Sequence, residues 1–588
     1  MMRKFFVRFL CFFGLCFLVL TGTLSYGLYK LTRPQVADIH PGTVLKLTLD
    51  TPLQEMPSAH HFPFQQDSST SLREIIDTLK MASQDTRVQG LTVHLDNIQF
   101  SGLAQIQELR NAIHDFRKTG KFAHVYCDSF GEISSGMGIY YLATAFDQIW
   151  MAPLGSLNIT GLSTVQPFAR RLLDELGIQP EIEAREEYKT AYDSALKSEM
   201  SVPHRQEVQE MLDSFMNQMI KAIARDRKLN QATVIDAINK APHFDLIPVK
   251  QQGFIDQISY LPEFYKSIQK TSKASWLDFH QYVASVKQKV TPSDTKIAVI
   301  FGSGMIAPEG QRSNPLMPSM SMEVDDIKRA FKLAGRSSDI KAVVFRIDSP
   351  GGSPLISDDL WNTIREFQKL SQKPVIVSMG NVAASGGYWI AACADKIVAN
   401  PGSITGSIGV LSGKIASAKL WEKLNVQWDI VKTHPNAAIW NMIYPFSPEE
   451  KQLVSNMTDH IYKTFIQKVA EGRHLSVDHV RQVAKGRVWT GEQALQAGLV
   501  DQLGDLNTAI YVAMQEAKFT DAQKNHAHVL YLPEHASLLT KLSNLTKGNF
   551  KISIFMSQVI ELVIQQVQLN LMYFQNNQVK ANINEINY

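Results

Sequence analysis

Ala342-Val343-Val344-Phe345-Arg346-Ile347-Asp348-Ser349-Pro350-Gly351-Gly352-Ser353 reads as a buried strand that runs directly into a turn of small residues. Val375-Ile376-Val377 leads in the same way towards Ala383-Ala384-Ser385-Gly386-Gly387-Tyr388. Between the two, Leu355 to Leu370 has the apolar spacing of an amphipathic helix, and Ser385 opens a further helix to about Ala394. Strands alternating with helices predict an α/β fold with a mostly parallel sheet. Ligands of such sheets bind beyond the carboxyl ends of the strands. A serine flanked by glycines at that place is exposed and surrounded by free backbone N–H groups. That is the layout of a nucleophile beside an oxyanion hole.

The same unit occurs twice. Gly90 to Asp96 parallels Ala342 to Asp348, Tyr140 to Pro153 parallels Tyr388 to Pro401, and Gly253 to Gln257 parallels Gly498 to Gln502. The offsets are 252, 248 and 245, nearly constant over three separated markers. Two α/β copies are therefore predicted, at about residues 45–265 and 295–515, with a linker-like stretch from Lys270 to Asp294. The first copy has diverged where chemistry would occur. Met137 stands at the position of Ser385, and Asp96-Asn97-Ile98 replaces the glycine turn. Ser134 and Ser135 lie nearby without the strand–Gly-Gly context and read as structural.

Composition narrows the class further. The 588 residues carry 59 basic and 56 acidic side chains, no footing for nucleic-acid binding. Of four cysteines, Cys11 and Cys16 lie in an N-terminal apolar run, leaving Cys127 and Cys393 for the body. That is no disulfide framework, and two buried free thiols are expected. Arg3, Lys4 and Arg8 precede the apolar stretch Phe9 to Leu28, which at 20 residues is long enough to span a bilayer as a helix. The flanking charge keeps its start cytoplasmic and places the rest across the membrane. A cleaved signal peptide is the rival reading, with Thr21-Gly22-Thr23 as a weak cleavage site. The run continues past it to Leu28, which favours an uncleaved anchor over residues 1–30.

The serine needs a base. No histidine is close to Ser385 in the chain, and Tyr188-Lys189-Thr190-Ala191 offers a lysine. At an ordinary pKa of about 10.4, roughly one lysine in 2,500 is neutral at pH 7. Lys189 can serve only if burial lowers its pKa by several units. Glu186, Glu187 and Asp193 would oppose this if they faced it. His434, with an aspartate such as Asp395, is a weaker candidate, because it sits in a loop without a matching motif.

Ser349 to Ser353, Ser378 to Gly380, Ala383 to Trp389, Thr405-Gly406-Ser407-Ile408-Gly409 and Val488-Trp489-Thr490-Gly491 together resemble the long form of the signal peptide peptidase A (protease IV) family. The resemblance extends from the N-terminal anchor to about residue 520. It implies two tandem domains of the Clp protease/crotonase type, a spiral of βαβ units. It also implies a Ser/Lys dyad, with Ser385 as nucleophile, Lys189 as general base and Ser407 orienting the lysine amine. The oxyanion hole would be formed by Gly386 with Gly351 or Gly352. Short, single-copy members carry the base downstream of the serine, which makes Lys432 a rival. Aligning Ser201 with Ser447, however, sets Pro435 opposite Lys189.

The implied activity is hydrolysis of cleaved signal peptides and other apolar peptides, at the periplasmic face of a bacterial inner membrane, by a homotetramer. No cofactor is called for, and no cluster of residues has metal-ligand spacing. An acyl-CoA enzyme of the crotonase type would be cytoplasmic with a carboxylate base, against the Phe9–Leu28 segment. An inactive scaffold would have lost Ser385 or Lys189, and both are present. Residues 520–588 are expected to form a helical tail, with the apolar stretch Ile552 to Phe574 packed on the body, on a membrane or on a partner copy.

Overall fold

The computed structural model describes residues 37–55, 71–96, 100–287, 295–308 and 321–532, with residues 22 and 98. The anchor segment and Ile552 to Phe574 lie outside the described residues. Among the described residues no helix is long and apolar enough to cross a membrane.

The first half is built on a six-stranded, all-parallel sheet. Its strands are β1 (Thr43–Leu49), β2 (Val88–Leu95), β3 (Phe122–Cys127), β4 (Gln148–Met151), β6 (Gln257–Ile258) and β7 (Ser275–Asp278), in the order β6-β4-β3-β2-β1-β7. Strand β5 (Gln179–Arg185) stands apart. Helices α1 (Leu72–Gln84), α2 (Leu103–Lys118), α3 (Met137–Ala143) and the long α4 (Val202–Arg227) belong to this half.

The second half repeats the plan with β8 (Lys296–Ser303), β9 (Ile340–Ser349), β10 (Val375–Ala384), β11 (Lys396–Ala399), β12 (Ile404–Gly406), β14 (Val488–Thr490), β15 (Gln502–Leu503) and β16 (His528–Leu532) in one eight-stranded sheet. Its helices include α5 (Val324–Arg336), α6 (Pro354–Ser371), α7 (Gly386–Ala391) and α8 (Pro448–Arg473). Strand β9 is buried on both faces: Val343, Phe345 and Ile347 enter one core, while Ala342 and Val344 pack with the helix Leu506–Glu516. A parallel strand covered on both sides needs such a continuous apolar run.

The repeat extends to single hydrogen bonds. The Tyr140 hydroxyl donates to the Phe254 carbonyl at 2.9 Å, and the Tyr388 hydroxyl donates to the Leu499 carbonyl at 2.9 Å. The N–H groups of Ile149 and Ile397 donate to Asp256 and Asp501, each at 2.7 Å. Arg227 and Arg473 pair with those two aspartates, and α4 and α8 are both 26 residues long.

Two expectations need correction. The stretch from Lys270 is not a linker as far as Lys287. Strand β7 lies parallel to β1 as an edge strand, and the helix Phe279–Lys287 follows it, with Phe279, Tyr282 and Val283 buried. A few apolar side chains at the right spacing outweigh the polar composition around them. The stretch after residue 520 is not wholly helical either, since β16 pairs in parallel with β8.

The halves interlock. Strand β5 of the first half pairs antiparallel with β13 (Val410–Ala416) of the second. A stripe along α4 faces the second half. Glu207 accepts the Val488 N–H at 2.6 Å, Glu210 pairs with Arg487, Ser214 meets Thr490 at 2.9 Å and Gln218 donates to the Pro401 carbonyl at 3.1 Å. Deeper, Arg346 lies 2.8 Å from Glu55 and 2.7 Å from Glu108, both in the first half.

Candidate active site

Ser385 follows β10 and stands at the N-cap position of the short helix α7 with φ 54° and ψ −120°. An L-residue holds that conformation only when its surroundings enforce it. The Ser385 N–H is tied to the Gly406 carbonyl at 2.9 Å. Gly351, at φ 105°, passes so close that a Cβ there would lie 2.8 Å from the Ser385 Cβ and 2.7 Å from the Gly386 nitrogen. The glycine turn is thus a requirement of the serine's environment.

Lys189 arrives from the first half, in the loop after β5, and is 8% exposed. Its Nζ lies 3.1 Å from Ser385 Oγ, 2.9 Å from Ser407 Oγ and 2.9 Å from the Ser407 carbonyl oxygen. Both residues of the contact belong to one chain. Burial pushes the Lys189 amine down to about 8, and Glu207 acts in the opposite direction. The acids adjacent in sequence turn elsewhere. Glu187 is 3.3 Å from Lys485, and Asp193 contacts Lys197 at 3.1 Å and Ser201 at 3.0 Å. Glu207 was not legible from the sequence, because it lies on a different element from Lys189 and meets it only through the fold.

Ser407 is fixed at φ 51°, with its N–H donating to the Arg487 carbonyl at 2.6 Å. The two turn glycines differ in what their amides do. The Gly351 N–H donates to Ser349 Oγ at 3.2 Å. The Gly352 nitrogen faces Gly386, 3.2 Å from where a Gly386 Cβ would stand. Gly386 is the first residue of α7, where the amide has no acceptor within the helix. The Gly351 amide is thus engaged by Ser349, whereas Gly386 stands where the helix supplies no acceptor.

The rival bases are placed elsewhere. Lys432 Nζ lies 3.9 Å from Glu450 and 3.4 Å from the Pro435 carbonyl, and His434 is exposed beside Thr433. Asp395 accepts the Val375 N–H at 2.7 Å and serves the sheet. In the first copy, Met137 fills the site of the serine and is fully buried, while Ser135 Oγ donates to the Gly161 carbonyl at 2.9 Å. Cys127 and Cys393 are buried and unbridged. Among the described residues, no group of three or more His, Cys, Asp or Glu is placed to hold a metal ion.

A serine on a strained turn with a buried amine against its hydroxyl is the equipment of a serine peptidase. The comparisons agree with that class. Residues 117–275 and 367–520 match the family model of peptidase family S49. The chain is 30% identical to the chloroplastic serine protease SPPA of Arabidopsis thaliana over 82% of this chain and 70% of that protein. It is 28% identical to Protease 4 of Haemophilus influenzae over 81% of this chain and 78% of that protein. Over 39% of this chain and 66% of the other, it is 32% identical to an Enterococcus faecium protein described as a signal peptide peptidase SppA. The chain belongs to peptidase family S49, as a serine peptidase with tandem α/β domains.

Proposed function

We propose that the protein is an endopeptidase in which Ser385 is the nucleophile and Lys189 the general base. The observation that carries this is the 3.1 Å contact between Lys189 Nζ and Ser385 Oγ at a buried position. A neutral amine has two N–H donors and one lone pair. The donors satisfy the Ser407 carbonyl and hydroxyl, and the lone pair is left for the Ser385 proton. As Oγ attacks the peptide carbonyl carbon, that proton moves to Nζ. The carbonyl oxygen takes the negative charge among the Gly386 and Gly352 amides, each such donor being worth about 2.7–4 kcal/mol. The Lys189 ammonium then gives its proton to the departing amine nitrogen. Water attacks the acyl-enzyme with Lys189 again as base.

The substrates proposed are cleaved signal peptides and other apolar peptides at the periplasmic face of a bacterial inner membrane. The Phe9–Leu28 segment supports a single-pass anchor there, and the printed name of the Enterococcus relative supports the substrate class. Two Clp/crotonase-type spiral domains, at about 45–265 and 295–515, assembled as a homotetramer, complete the reading.

The test is peptidase activity on a fluorogenic apolar peptide, using the intact protein in detergent. Ser385→Ala and Lys189→Ala are expected to fold and to lose at least about a thousandfold in kcat/KM, while Lys432→Ala stays active. Retained activity in Lys189→Ala, with loss in Lys432→Ala or His434→Ala, would overturn the base assignment.

A further inference from the structure

Behind the serine–lysine contact lies a carboxyl group that the contact itself does not use. Glu207 projects from α4 and is 4% exposed. It accepts the Val488 N–H at 2.6 Å, and Thr190, the residue after Lys189, favours its charged form. The segment before Val488 completes a circuit. The Arg487 carbonyl accepts the Ser407 N–H at 2.6 Å. At Gly486 a Cβ would come within 2.6 Å of the Lys189 backbone nitrogen. One buried carboxyl therefore ties the base's own loop, in the first half, to the segment of the second half that fixes Ser407.

The other charged groups around Lys189 are engaged elsewhere. The Arg487 guanidinium pairs with Glu210, lies 4.2 Å over the Trp489 ring and, together with Lys189, favours the charged form of Glu207 against its burial. Glu187 faces Lys485, Glu186 lies close enough to Tyr462 to raise its hydroxyl, and Asp193 faces Lys197, Ser201 and His204.

We propose that Glu207 is a positioning residue of the Ser385–Lys189 reaction, which aims the amine at Ser385 and balances the positive charge that Lys189 acquires with the serine's proton. The inference rests on the dyad reading above. The proton passes only between Ser385 Oγ, Lys189 Nζ and the leaving nitrogen, and Glu207 exchanges none. Its charge matters because an ammonium buried without a countercharge is costly. Burial holds the Glu207 carboxyl up at about 7, so it ionises in the same pH range in which Lys189 becomes a free base.

The experiment is the pH dependence of kcat/KM for wild type, Glu207→Gln, Glu207→Asp and Glu207→Ala, with thermal melts to check folding. Glutamine keeps the acceptor for Val488 and removes the charge. Without the carboxylate the amine gives up its proton more easily, so the acidic limb of Glu207→Gln is expected about half to one pH unit lower. Its plateau kcat is expected to fall about tenfold with KM nearly unchanged, and Glu207→Asp is expected to restore part of both. A Glu207→Gln profile superimposed on that of wild type would overturn the proposal, whether or not Glu207→Ala folds. An active Lys189→Ala would instead sink the dyad itself, so the two failures are distinguishable.

Discussion

Burial of the Lys189 amine costs stability. The amine is held at about 8, below the ordinary 10.5, so folding expels a proton between those values. The cost is present in full below about pH 8 and disappears as pH rises towards 10.5. Lys189→Met is therefore expected to be inactive yet more stable at pH 7 by about 1–2 kcal/mol, the gain being limited because Glu207 loses its partner. A higher melting temperature in Lys189→Met supports this, and a lower one refutes it. The same displacement fixes activity: kcat/KM should climb with pH through about 8, as the neutral amine becomes the major form. Ser385 and Lys189 were legible as residues, one from its glycine setting and the other from its segment. The environment of the amine was not, because Glu207 and Arg487 come from elements far away in the chain.

The two long helices show how one element diverges between copies. Ser447 caps α8 in a full capping box with Glu450. Its counterpart Ser201 stands at the same place on α4, but its hydroxyl donates to Asp193 at 3.0 Å and caps nothing. Ser447→Ala should cost about 1 kcal/mol through the lost cap, read as a shift in the denaturation midpoint. A loss no larger than that of an exposed surface substitution would refute the role. The strand–helix alternation around β9, α6 and β10 was legible from apolar spacing. β7 and β16 were missed, because short edge strands in polar surroundings are defined by the neighbours they pair with, not by their own pattern.

Across the whole molecule, the halves are held together by a buried ion cluster close to the glycine turn. Arg346 contacts Glu55 and Glu108 and also donates to Ser378 and the Met379 carbonyl. Removing the cation alone leaves two carboxylates without a countercharge. Arg346→Met is expected to destabilise the protein by about 3–5 kcal/mol and to lower activity with it, since Arg346 lies on β9, which runs into the turn Pro350-Gly351-Gly352. Replacing Glu55 and Glu108 by glutamine in the same chain should recover much of the loss. Equal stability of wild type and Arg346→Met in a denaturant titration would refute the clamp.

The sequence by itself determined the parallel α/β plan and the duplication, and it singled out Ser385 as a candidate nucleophile, with Lys189 and Ser407 as candidates through the family resemblance. The plan, the duplication and the setting of Ser385 follow from local pattern and from like spacing between copies. Only the tertiary structure decided that Lys189 and Ser385 meet within one chain, that the Gly351 amide is engaged by Ser349, and that Glu207 reaches the Val488 segment. The first and last of these depend on how the two halves dock, and docking arises from contacts between residues hundreds of positions apart that no local pattern encodes.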